Sequence, residues 1–124
     1  MTHEIKARAG GIVVDEDQNI HIVRPHGFVS RSTLQKALSE ASSFAAAHPE
    51  GWWYVTDASR PVFPDPLNAI RLRRITRLPN IRGYLLVAPS PLIRPVMKVW
   101  ARIIGANAVV ESMDAARGWI AARD

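Results

Sequence analysis

The stretch G-Y-L-L-V-A at residues 83–88 is followed by S-P-L-I-R-P-V-M-K-V-W-A-R-I-I-G at 90–105 and A-V-V at 108–110, and its reading decides the fold. A near-continuous apolar run of six residues suits a central strand covered on both faces. The next segment reads as a helix. At about 100° per residue, Leu92, Val96, Val99, Trp100 and Ile103 share one side, which is expected to face the core. Arg94, Lys98 and Arg102 recur every four residues on another side. Pro95 cannot donate to a helical ladder, so regular helix should begin only just before it. Gly105 is a natural stop. A strand, a helix and a second strand in this order require a parallel pair joined by a right-handed crossover.

The same unit repeats upstream. W-W-Y-V-T at 52–56 is aromatic and β-branched, hence a strand. A helix follows from near Asp65, with Pro66 in the first position, where a missing N–H costs nothing. It runs through Leu67, Ile70, Leu72 and Ile75 to about Leu78, and Pro79 ends it. Earlier still, Ser30 or Ser32 caps a helix whose buried side is Leu34, Leu38, Ala41, Phe44 and Ala45. His48-Pro49 stops that helix. Ile12-Val13-Val14 and Ile20-His21-Ile22-Val23 form a hairpin across D-E-D-Q-N, and Pro25 and Gly27 are expected to break or bulge its second strand. Ser112 caps a last helix with Asp114 in its first turn and Ala116, Trp119 and Ile120 buried.

The order is therefore β-β-α-β-α-β-α-β-α. It predicts an α/β fold with an N-terminal β-hairpin, then repeated right-handed β-α units. The sheet should be mostly parallel, of about five strands, with helices mainly on one face. Trp52, Tyr54 and Tyr84 are then expected on the other, open face, an apolar surface that would suit a second copy of the chain.

A chain of 124 residues suits one domain, here 1–124. The absence of cysteine excludes disulfides and thiolate chemistry and fits a cytoplasmic setting. No segment approaches the roughly 20 apolar residues of a spanning helix. Phosphate-cradle glycine motifs and nucleophile elbows are missing. His3, His21, His26 and His48 are not spaced as metal ligands. No cofactor, no metal and no catalytic residue is expected.

This strand and helix order, with an aspartate ending the third strand and V-V-E-S-M-D-A-A-R-G-W-I closing the chain, resembles the STAS domain family, closest to its SpoIIAA-like, STAS/SEC14-type members. The resemblance covers nearly the whole chain and implies a single STAS-like domain with a regulatory, non-enzymatic role. In anti-sigma-factor antagonists of that family, a partner kinase phosphorylates a serine in a D-S-S-G type motif. Asp57 resembles the strand-end aspartate and Asp65 the motif's aspartate. Pro66, Leu67 and Asn68 follow Asp65, so the phosphoacceptor position is vacant, and Ser59 comes six residues too early. A phospho-switch is not expected.

The T-D-A-S-R-P-V-F-P-D-P-L-N loop (56–68) keeps two readings. Pro61, Pro64 and Pro66 stiffen it as a connector, with Asp57 in a turn and Asp65 as a helix cap. Alternatively it is a ligand loop, since ligands gather at the carboxyl ends of parallel strands. Its candidate contacts are Asp57, Ser59, Arg60 and Asp65.

The formal net charge is +5, and no acid lies between Asp65 and Glu111, whereas Arg71, Arg73, Arg74, Arg77, Arg82, Arg94, Lys98 and Arg102 all do. Such a layout steers anionic partners. Arg73, Arg74 and Arg77 with Arg94, Lys98 and Arg102 would make one basic surface if their helices lie side by side; a merely solvated face is the plain alternative. The expected function is regulation through a protein partner or a second copy, or binding of a small anionic or lipidic ligand. The alternatives are a basic-surface binder of nucleic acid or anionic membrane, and a small enzyme using Asp57 and Asp65. Nucleic acid is disfavoured, because no base-reading motif accompanies the arginines.

Overall fold

The computed structural model describes residues 2–7, 9–63 and 65–124. Seven strands and four helices follow in the order β1 (Thr2–Ala7), β2 (Gly10–Asp17), β3 (Ile20–Phe28), α1 (Arg31–Ala47), β4 (Trp52–Asp57), β5 (Val62–Phe63), α2 (Pro66–Leu72), β6 (Ile81–Val87), α3 (Arg94–Ile104), β7 (Ala108–Val110) and α4 (Met113–Ala121). A 3-10 segment, Arg73–Arg77, continues from α2. The sheet runs β1-β2-β3-β4-β6-β7, and β5 pairs with the end of β3. β1, β2 and β3 are antiparallel to their neighbours; from β3 to β7 the pairs are parallel.

The α/β class and the alternation of elements follow the sequence. The strand count does not, because β5 is a two-residue strand inside the 56–68 loop and β1 is an added edge. Its residues T-H-E-I-K-A are exposed apart from a half-buried Ile5 among those whose side chains are described. Charged, polar edge strands of this kind resist edge-to-edge association, and they carry little hydrophobic signal. Nor do Pro25 and Gly27 end β3. The parallel pairing of β3 with β4 stops at Val23, and pairing with β5 starts at Gly27, so Pro25 falls in the gap where its missing N–H leaves nothing unpaired. Gly27 holds a φ of 65°, and a Cβ there would collide with the Ala9 carbonyl.

Helix ends obey local chemistry. Ser30 accepts from the Thr33 amide, Asp65 from the Leu67 amide and Ser112 from the Ala115 amide. Gly105 closes α3 in the left-handed conformation at φ 83°.

The sheet separates two apolar clusters. On one face Ile12, Val14, Val23, Trp52, Tyr54, Tyr84 and Leu86 meet Leu34 and Phe44 of α1, Ala69 of α2, Ile75, and Ala101 and Ile104 of α3. On the other, Ile20, Ile22, Trp53, Val55, Leu85 and Val87 meet Ala116 and Ile120 of α4. One expectation is corrected here, and the helices do lie mainly on one face. Trp52, Tyr54 and Tyr84 do not line an open face; they are 0–1% exposed beneath α1, α2 and α3. And α4 sits on the face opposite the other three helices. The crossover rule fixes the side of a helix joining two parallel strands, and α4 joins no pair of the described strands. The part of that face α4 leaves uncovered is charged rather than apolar, with Asp15, Arg24 and Asp57 linked in a row.

Candidate functional site

Strand ends and two helices line a partly open cavity of about 140 Å³. Its floor comes from the sheet: Ile12, Val23, Tyr54, Thr56, Tyr84 and Leu86. Ala69 and Leu72 of α2 and Met97, Trp100 and Ile104 of α3 form the roof. The half-buried Pro25, Val62 and Asp65 mark its rim. Alternation places these strand residues together. Tyr54 and Thr56 are two apart on β4, and Tyr54 stands opposite Tyr84 of β6, so all three point to one side.

Almost all of the wall is apolar, which makes its few polar atoms informative. The Thr56 and Tyr84 hydroxyls are hydrogen-bonded to each other at 2.9 Å. Two hydroxyls carry two protons, and their mutual bond uses one. The second proton is available to a guest. Burial pushes the Tyr84 phenol well above its ordinary pKa, only partly offset by Thr56, and burial with the neighbouring Tyr84 does the same to Tyr54. Both phenols stay neutral, so the floor offers hydrogen bonds rather than charge. At the rim, the Asn68 amide nitrogen donates to the Val29 carbonyl at 2.9 Å, and its oxygen accepts from Arg71 at 2.9 Å.

The loop candidates divide between the two faces. Asp57 belongs with Trp53 and Val55 on the α4 face. It accepts from Arg24 at 3.3 Å and from the Ser59 amide at 3.1 Å, and the Ser59 hydroxyl also bonds to it. This is a turn that ends β4, held by its own side chain. Arg60 is exposed. Asp65 lies across the sheet, capping α2 at the cavity rim. The structure therefore joins Asp57 with Ser59, and Asp65 with the cavity, but does not bring the two aspartates together. Pro64, one of the stiffening prolines, lies outside the described residues. Among the described residues no three His, Asp or Glu side chains converge as a metal site requires.

The basic residues also separate. Arg94 donates to the Ala88 and Pro89 carbonyls at 3.1 and 3.2 Å, so it caps the end of β6. Lys98 and Arg102 are exposed. Arg74 faces α1, lining a surface hollow with Gln35, Leu38 and Ser39. On the helical wheel of α3, Trp100 and the Lys98–Arg102 row flank the buried strip of Met97, Ala101 and Ile104 on opposite sides. Trp100 is the flank that meets α2 at the cavity. The basic row of α3 therefore lies on the flank opposite Trp100, while the 3-10 segment that carries Arg73, Arg74 and Arg77 meets the end of α3, where Thr76 lies against Gly105.

The apolar side of α3 expected in the core is also corrected. Leu92, Val96, Val99 and Ile103 are 44–85% exposed, and only Trp100 of that group is half-buried. The helix carries two apolar rows, and the inner one is Met97, Trp100, Ala101 and Ile104.

Sequence reasoning missed Thr56 and Tyr84 as a polar pair. The available signal was a threonine and tyrosines at the same parity inside two strands that otherwise read as apolar.

No family model matches the chain, and no curated protein matches its sequence.

Proposed function

We propose that the protein is a non-enzymatic STAS-like domain that binds a small apolar ligand bearing one hydrogen-bonding head. The observation that carries this reading is the cavity at the strand ends, mostly apolar, with the hydrogen-bonded Thr56–Tyr84 hydroxyl pair on its floor beside Tyr54, and Asp65 and Asn68 at its rim. Concave, mostly apolar sites with a few placed polar groups are the usual form of small-molecule sites. The volume sets the scale: an apolar cavity of roughly 150 Å³ takes benzene. A single ring or a short acyl chain fits; a full-length lipid tail does not. The hydroxyl pair selects a hydroxyl, carbonyl or neutral carboxyl head, since no cation lines the wall among the described residues. In sequence, the STAS-type reading is supported by the hairpin followed by β-α units and by the aspartate ending β4. In place of a phosphorylated serine, occupancy of the cavity beneath α2 and α3 would be the input such a domain reports to a partner.

Calorimetric titration with phenol and toluene tests the reading. Both should bind saturably, and Tyr84→Phe should weaken phenol about five- to tenfold, the worth of one hydrogen bond, while leaving toluene unchanged. Failure of both probes to bind, or an equal effect of Tyr84→Phe on the two, would refute it.

A further inference from the structure

The outer row of α3 has no role in the fold. Along α3, Val96 is 53% exposed, Val99 59% and Ile103 44%, and Leu92 in the turn just before the helix, 85% exposed, continues the same side. Single exposed apolar side chains are ordinary; a contiguous stripe along one helix is not. The inner row already anchors α3, with Ala101 and Ile104 buried. Leu67 and Ile70 of the neighbouring α2 are exposed as well. Lys98 and Arg102 border the stripe on the flank opposite Trp100, and no acidic residue lies anywhere from 66 to 110.

We propose that this outer face of α3 docks on an anionic lipid surface, with the apolar stripe at the acyl boundary and Lys98 and Arg102 among the headgroups. An apolar stripe beside a basic edge is the pattern of helices that lie in the membrane interface. Eleven residues make roughly 16 Å of helix, enough to lie along a bilayer and far too little to cross one. Charge chooses the occupant. A symmetric pairing of two copies through this stripe would bring Lys98 and Arg102 of both chains together with no acid on either segment to answer them. A nucleic acid would satisfy the charges and leave the apolar row in water. Anionic headgroups over acyl chains satisfy both.

Sedimentation of the full chain with vesicles tests this, using phosphatidylcholine alone and phosphatidylcholine with phosphatidylserine. The protein should sediment with the phosphatidylserine vesicles, far less with the neutral ones, and less as salt is added. Lys98→Gln with Arg102→Gln should lose about thirtyfold in vesicle affinity. Val96→Ser with Val99→Ser should lose at least as much, and both variants should melt with the wild type because all four side chains are exposed. Equal binding to the two kinds of vesicle, or none to either, would overturn the proposal. So would a dimer in sedimentation equilibrium that Val96→Ser with Val99→Ser converts to monomer, or tighter binding to a DNA duplex than to the anionic vesicles.

Discussion

His21 is wholly buried between Phe44 and Tyr54, with ring centroids 5.0 and 5.6 Å away, and neither ring nitrogen has a hydrogen-bond partner among the described residues. Glu16 approaches Nδ1 only to 3.9 Å, too far to bond. Burial, helped by His3, drives the imidazole pKa down from 6.5 to about 4, so the ring is held neutral. The unfolded chain takes up a proton below about pH 6.5 that the folded protein refuses until about pH 4. His21 therefore leaves stability untouched above pH 6.5 and erodes it as pH falls from 6.5 to 4, by on the order of 3 kcal/mol. His21→Leu should flatten chemical-denaturation stability across that window. It should also raise stability at pH 7 by about 1 kcal/mol, since two unsatisfied nitrogens leave the core. A variant that keeps the wild-type pH slope would show the slope to arise elsewhere. In sequence His21 reads as one polar residue on a strand; its isolation comes from α1 laying Phe44 over it, a contact that no local pattern encodes.

At the scale of elements, starts and stops were legible because they rest on local chemistry. Asp65-Pro66, Gly105 and Ser112 act within a turn of their own helices, and each stands where it was expected. What faces what was less legible. α3 has apolar residues at two helical spacings, and the sequence row with larger aliphatic side chains is the outer one. Ala101 and Ile104 of the inner row join the cluster that holds Tyr54 and Tyr84. Trp52 to Val55 is apolar on both sides, so alternation alone gave no orientation for the tyrosines. The two rows of α3 predict opposite mutational costs. Ile104→Ala should lose about 2–5 kcal/mol in urea denaturation, while Val99→Ser stays within about 0.5 kcal/mol of wild type. Comparable losses at both positions would mean that the outer row is covered.

Across the whole molecule, the division of labour follows the sheet. The α4 face carries the Asp15–Arg24–Asp57 row, in which burial raises the Asp15 pKa but hydrogen bonds from Thr2, the Glu16 amide and Arg24 outweigh it and hold it below the ordinary carboxylate value. The opposite face carries the cavity, and α2 and α3 roof it. The loop at 56–68 connects the two, placing Asp57 on one side and Asp65 on the other, which is why its aspartates form no common site. The parallel order and the strand-end location of the cavity were legible in the alternation of elements; its lining was not, since it draws on strands, α2 and α3 far apart in the chain. A crystal structure of the protein equilibrated with phenol tests the central claim most directly. Phenol should occupy the cavity with its hydroxyl in hydrogen-bond reach of Thr56 Oγ1 or the Tyr84 hydroxyl. A cavity closed by Met97 and Trp100 against Tyr54 and Leu86, with phenol absent from it, would contradict the account.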